Sequence, residues 1–131
     1  MGVLLKAKGG MKSCLIVDDS KVIRMVAKKI LQELGFETIE AEDGQIALDV
    51  CSGKLPDAIL LDWNMPNMNG IEFLRELRKL PGGERPMVVF CTTENDIEHI
   101  QEAISAGANE YIMKPFDSEI MSAKFSQVGL L

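Results

Sequence analysis

Five short apolar runs, at residues 14–17, 36–41, 58–61, 87–91 and, more weakly, 110–113, alternate along the chain with stretches whose apolar residues fall at helical spacing. A strand buried on both faces reads as an unbroken apolar run, and a helix inserted between successive strands makes the sheet parallel. Right-handed crossovers then distribute the helices over both faces of the sheet. The pattern therefore predicts an α/β fold, a five-stranded (βα)5 sandwich, and disfavours all-α and all-β architectures.

The helices carry their own start and stop signals. Ser20 is placed to cap a helix running to Leu34, with Ile23, Val26, Ala27, Ile30, Leu31 and Leu34 on one stripe and Gly35 as the stop. Residues 44–52 form a shorter helix with Ala47, Leu48, Val50 and Cys51. Asn69 caps a third helix built on Phe73, Leu74, Leu77 and Leu80 and ended by Pro81-Gly82-Gly83. A fourth runs from about Asn95 to Ala106 before Gly107, and a fifth starts near Asp117, uses Met121, Phe125 and Val128, and stops at Gly129.

At 131 residues the chain fits one domain, assigned to residues 12–131, with residues 1–11 as a flexible extension or tag because Gly9-Gly10 precede Met11. With 20 acidic and 14 basic residues the net charge is −6, which repels phosphate backbones and argues against nucleic acid as a partner. Cys14, Cys51 and Cys91 are widely spaced in apolar surroundings and read as reduced core thiols rather than a disulfide or metal set. Val3-Leu4-Leu5 is too short for a signal or membrane segment, so a cytoplasmic protein with no membrane partner is expected.

Chemistry is expected just beyond the carboxyl ends of the strands. The third run ends in Asp62, followed by the Pro/Asn/Gly turn Trp63-Asn64-Met65-Pro66-Asn67-Met68-Asn69-Gly70; the first ends in Asp18-Asp19. In a parallel sheet all three carboxylates share one edge. Two of them ~4 Å apart repel by about 4 kcal/mol at an effective dielectric of 20, so a bare cluster either raises a pKa by several units or recruits a cation, and a hard dication bound by oxygen removes the conflict. Mg²⁺ suits it, because that ion takes one or two carboxylates, keeps waters and accepts phosphate oxygens. The fourth and fifth runs add Thr92 and Lys114 at the same edge, completing a set suited to phosphoryl chemistry: an acidic nucleophile, a metal, a hydroxyl donor and an ammonium.

Ile16-Val17-Asp18-Asp19-Ser20, Leu61 to Gly70, Thr92 and Tyr111-Ile112-Met113-Lys114-Pro115-Phe116 together resemble the receiver domains of two-component response regulators, over residues 12 to about 128. Trp63 to Met68 most resembles the single-domain chemotaxis regulators of the CheY type. The resemblance implies a flavodoxin-like sheet in the order 2-1-3-4-5. It implies that Asp62 is the phosphoacceptor, that Asp19, Asp62 and the backbone carbonyl of Asn64 bind Mg²⁺, and that Asp18 acts through water. Thr92 and Lys114 would hold the phosphoryl oxygens, and the Lys114-Pro115 bond would be cis. Tyr111 would be a rotameric switch reporting to the surface of the fourth helix, fifth strand and fifth helix. On that helix Ile97, Ile100 and Ile104 form one stripe and Ala103 and Ala106 another, and both cannot face one core. Either the isoleucine stripe is core, or Ile100 and Ile104 lie partly exposed beside Tyr111 and form an output surface with Lys124.

Asn64 and Glu94 resemble positions that tune phosphate loss, and Thr93 stands where the family usually has Ala or Gly, which narrows access to Asp62. Arg24, Lys28 and Lys29 on the first helix read as a solvated face, though related proteins dock the phosphodonor domain there. His99, the single histidine, has no ligand pattern around it and receives no role. The expected protein is a monomeric, regulatory phosphoacceptor with intrinsic autophosphorylation and autodephosphorylation rather than an enzyme. Its donor would be a histidine kinase or phosphotransfer domain and its target a motor switch or other chemotaxis protein. With the chain stopping after the last helix, no output domain is expected. The alternatives are a phosphate sink for a shared kinase, a phosphorylation-independent interaction module, and more remotely an aspartate-nucleophile phosphohydrolase, which needs a second acid where this chain has Asn64. An FMN binder would need a hydroxyl-rich loop where Asp18-Asp19 stand.

Overall fold

The computed structural model describes residues 11–93 and 97–131, Ile97 by its backbone alone. The described chain alternates strictly: β1 Ser13–Val17, α1 Lys21–Glu33, β2 Glu37–Ala41, α2 Gly44–Gly53, β3 Ala58–Asp62, α3 Gly70–Lys79, β4 Met87–Thr92, α4 Ile97–Ser105, β5 Glu110–Met113 and α5 Ser118–Gln127. The five strands form one parallel sheet in the order β2-β1-β3-β4-β5.

Each central strand supplies both cores, because successive side chains point to opposite faces. Leu15, Val17, Ile59, Leu61, Val88 and Phe90 face α2, α3 and α4, where they meet Ala47, Phe73, Leu74, Leu77 and Ala103. Cys14, Ile16, Leu60, Val89 and Cys91 face α1 and α5, where Ala27, Leu31, Met121 and Phe125 close the second core. Burial pushes the Cys14 and Cys91 thiols up to about 12, so they pack as small hydrophobes and are not thiolates at neutral pH.

The cap signals operate as read. The Ser20 hydroxyl accepts from the Ile23 N–H, Asn69 and Glu72 form a reciprocal capping box, and the Asp117 carboxylate accepts from the Ile120 N–H. Two local expectations shift. Phe36 precedes β2 instead of opening it, its N–H donating to the Leu31 carbonyl at the α1 turn, and its ring stacks edge-on with Phe125 at 5.4 Å. Val26 lies off the core stripe of α1, 44% exposed beside Val22 and Met25, because Ala27, Ile30 and Leu31 already fill the narrow contact with the sheet. Among the described residues no helix is long and apolar enough to cross a membrane.

Candidate functional site

The carboxyl ends of β1, β3, β4 and β5 converge. Asp18 follows β1 and is locked on every side: its N–H donates to the Ala41 carbonyl at 3.1 Å, and its Oδ1 accepts from the Ser20 N–H at 2.9 Å. Its carbonyl accepts from Arg24 at 2.7 Å. Arg24 is thus more than a solvated charge on α1; it also pairs with Glu40 at 3.0 Å, while Lys28 reaches the same carboxylate at 3.7 Å. Asp19, the next residue, is exposed.

Asp62 is the last residue of β3 and Thr92 the last of β4, and both side chains are buried. Lys114 follows β5, its backbone N–H donating to the Thr92 carbonyl at 2.9 Å, and the Lys114-Pro115 peptide is cis. The Lys114 ammonium lies 2.8 Å from Asp18 Oδ2 and 3.1 Å from Asp62 Oδ1. Carboxylate oxygens of Asp18, Asp19 and Asp62 all fall within 4.8 Å of one another.

Burial raises the Asp62 pKa, Asp18 raises it further, and Lys114 opposes both. Burial works against the Lys114 ammonium, but hydrogen bonding to Asp18 and the charge of Asp62 outweigh it and hold that pKa above its ordinary value. One ammonium thus offsets three neighbouring carboxylates only in part. An all-oxygen donor set with this residual repulsion fits a hard dication such as Mg²⁺ and fits poorly a soft one.

The loop from β3 to α3 is folded tightly under the site. The Gly70 N–H donates to the Trp63 carbonyl at 3.0 Å, and a Cβ at Gly70 would fall on the Asp62 carbonyl oxygen, so no larger residue fits without moving the strand end. Asn64 is exposed on this loop, and Thr93 is exposed beyond β4. Glu94 and the expected helix start at Asn95 lie outside the described residues.

On the neighbouring face the Tyr111 ring is half-buried against the first core, with the Lys124 ammonium 4.5 Å from its centroid and 3.4 Å from Glu110. On α4 Ala103 is buried and Ile104 is 47% exposed, with Ile100 and Ala106 both between. His99 takes a place the sequence did not suggest, stacking on Trp63 with ring centroids 4.2 Å apart. The side chains of Asp43 and Asn67 bond at 2.8 Å across 24 residues of sequence, a contact no local pattern announces.

Residues 14–126 match the family described as response regulator receiver domain. The chain is 38% identical over 115 residues to chemotaxis protein CheY of Pseudomonas aeruginosa, covering 87% of this chain and 93% of the relative. It resembles the structure of Vibrio cholerae chemotaxis protein CheY4 at a TM-score of 0.85 and 35% identity, over 90% of this chain and 98% of that one. The receiver domain of sensor histidine kinase PA1611 from Pseudomonas aeruginosa, solved with a magnesium ion coordinated in its active site cleft, superposes at a TM-score of 0.80 with 27% identity, over 86% and 93% of the two chains.

Proposed function

The chain belongs to the response regulator receiver family, and from that premise we propose that it is a phosphorylation switch: Asp62 takes a phosphoryl group from a histidine kinase or phosphotransfer domain, and the change is read by a motor switch or other chemotaxis protein. The observation that carries this reading is the Lys114 ammonium set between Asp62 and Asp18 at the mouth of a three-carboxylate cluster.

An ionised Asp62 oxygen attacks the phosphorus of the donor phosphohistidine. The new P–O bond forms as the P–N bond breaks, and the departing imidazole nitrogen keeps the electron pair and is protonated from solvent. Asp19, Asp62 and the Asn64 carbonyl would hold Mg²⁺, with Asp18 acting through water. When bound, that ion neutralises the charge gathered at the site. Lys114 holds a phosphoryl oxygen while its side chain remains against Asp18, and the Thr92 hydroxyl donates to another. The acyl phosphate carries about −1.5 to −2 where the carboxylate carried −1, and its oxygens draw Thr92 inward. Tyr111 then follows into the vacated space, altering the surface of Ile100, Ile104 and Lys124 that a partner reads. Asn64 and Glu94 set how fast water removes the phosphoryl group, which makes the loss intrinsic to the domain.

Incubation with Mg²⁺ and acetyl phosphate, followed by mass spectrometry, should add one phosphoryl group to the intact protein. Asp62→Asn should take up none, and uptake undiminished by that change would sink the assignment.

A further inference from the structure

The loop between β3 and α3 is fastened at its apex to the corner between β2 and α2, and we propose that this fastening, Asp43 holding Asn67, positions the loop for Mg²⁺ and makes Asp43 a positioning residue of a metal site it never touches. The proposal rests on the reading of Asp62 and its neighbours as that site.

Asp43 is 5% exposed and uses both carboxylate oxygens. Oδ1 accepts from the Ile46 N–H at 2.8 Å and so caps α2; Oδ2 accepts from the Asn67 amide at 2.8 Å. Those same two donors, Ile46 first, hold its pKa below the usual carboxylate range, so the bond to Asn67 is charge-assisted at neutral pH. A second strut runs beside it: the Gly44 N–H donates to the Met68 carbonyl at 3.0 Å, and a Cβ at Gly44 would fall on that oxygen. Asn67 itself has φ +68°, a left-handed conformation that only Gly, Asn and Asp adopt readily. The loop apex is therefore held in an uncommon shape by contacts to a different corner of the fold.

That matters because the ligand this loop offers is a backbone carbonyl. A side-chain ligand corrects a small error by rotation, whereas the Asn64 carbonyl goes where the loop backbone puts it. Mg²⁺ tolerates little departure from octahedral geometry. At its near end the loop is fixed by β3 and by the Gly70-to-Trp63 hydrogen bond, and across its apex by Asp43 and Gly44. Freeing the apex lets Asn64 drift while leaving the three carboxylates in place.

Two substitutions separate this role from plain stability. Asn67→Gly keeps the positive φ and removes the amide; Asp43→Ser keeps a good N-cap and is too short to reach Asn67. Trp63, the single tryptophan and the neighbour of Asp62, reports titration with MgCl2 by its fluorescence. Each variant should raise the Mg²⁺ concentration at half-saturation by about 10-fold, the low end of what losing a partner behind a ligand costs a metal site. The double variant should be no worse than either single one, since one bond is lost in all three. Phosphoryl uptake from acetyl phosphate should return to the wild-type rate at saturating Mg²⁺. An unchanged half-saturation in either single variant, or losses that multiply in the double, would overturn the role of Asp43. If the wild-type protein gives no saturable Mg²⁺ response, or Asp62→Asn binds the ion as well as wild type, the underlying reading of the site falls as well.

Discussion

The two ends of the sheet treat charge in opposite ways. At the amino end Arg78 is a half-buried cation whose guanidinium is taken up by neutral acceptors, with the Glu84 carboxylate near enough to favour its charge. Its guanidinium donates to the carbonyls of Gly83 at 2.8 Å, Pro86 at 2.9 Å and Gly107 at 2.6 Å, and to the Asn109 side chain at 3.2 Å. Asn109 in turn accepts from the Val88 N–H at 2.8 Å, so one residue of α3 ties together the entries to β4 and β5. At the carboxyl end three carboxylates face one ammonium, and the Asp62 pKa is raised by burial and by Asp18. One end is satisfied and serves the fold; the other is left short of positive charge and serves a ligand.

The largest consequence falls on stability alone. Arg78→Ala should lower the unfolding free energy by about 3 kcal/mol, because it removes charge-assisted hydrogen bonds and strands carbonyls in half-buried loops. Arg78→Lys should recover roughly half of that at most, since an ammonium lacks the planar fork that reaches several acceptors. Denaturant unfolding measures both, and phosphoryl uptake by the folded fraction should be unchanged. A marked loss of uptake in folded Arg78→Ala would mean that the two ends are not independent.

At the other end, removing a charge should do the reverse. The folded pKa of Asp62 lies above its unfolded value of about 3.9, so its contribution favours folding below that pH and is lost as pH rises through the folded pKa. At neutral pH without metal, the ionised side chain therefore opposes folding. Asp62→Asn should raise the melting temperature by roughly 3–5 °C in chelator, about 1 kcal/mol for a chain of this size, and the gap should vanish below pH 4. Saturating Mg²⁺ should narrow it by stabilising wild type alone. A melting temperature lowered by the substitution would show that Lys114 more than compensates for burial.

The same contrast explains what the sequence disclosed. Strand runs, caps and the residues that end each strand are local patterns, so the placement of Asp18, Asp62, Thr92 and Lys114 at one edge is legible in the sequence alone. Arg78 carries no such pattern, because its acceptors lie up to 31 residues away and, apart from the Asn109 side chain, are backbone carbonyls with no sequence signature. Asp43 and Asn67 were invisible for the same reason. His99 has no ligand spacing around it, and stacking on Trp63 needs none. Val26 falls on the apolar stripe of α1 yet is half-exposed, because periodicity gives the direction of a face but not its width.

Asp57 offers the mildest test of the contrast. It sits at the amino end, before β3, and its carboxylate accepts from the Ser13 N–H at 2.8 Å, with the Ser13 hydroxyl at 3.4 Å. The pair is exposed, so water can replace the lost acceptor, and the strand pairing of β1 with β3 persists without it. Asp57→Ala should therefore cost only about 0.5–1 kcal/mol by denaturant unfolding. Removing an acid at this end should leave Mg²⁺ half-saturation and phosphoryl uptake where they were, whereas removing one at the other end abolishes uptake. If Asp57→Ala instead shifts Mg²⁺ affinity several-fold, β1 transmits changes along its length to Asp18, and the satisfied end is not separate from the reactive one.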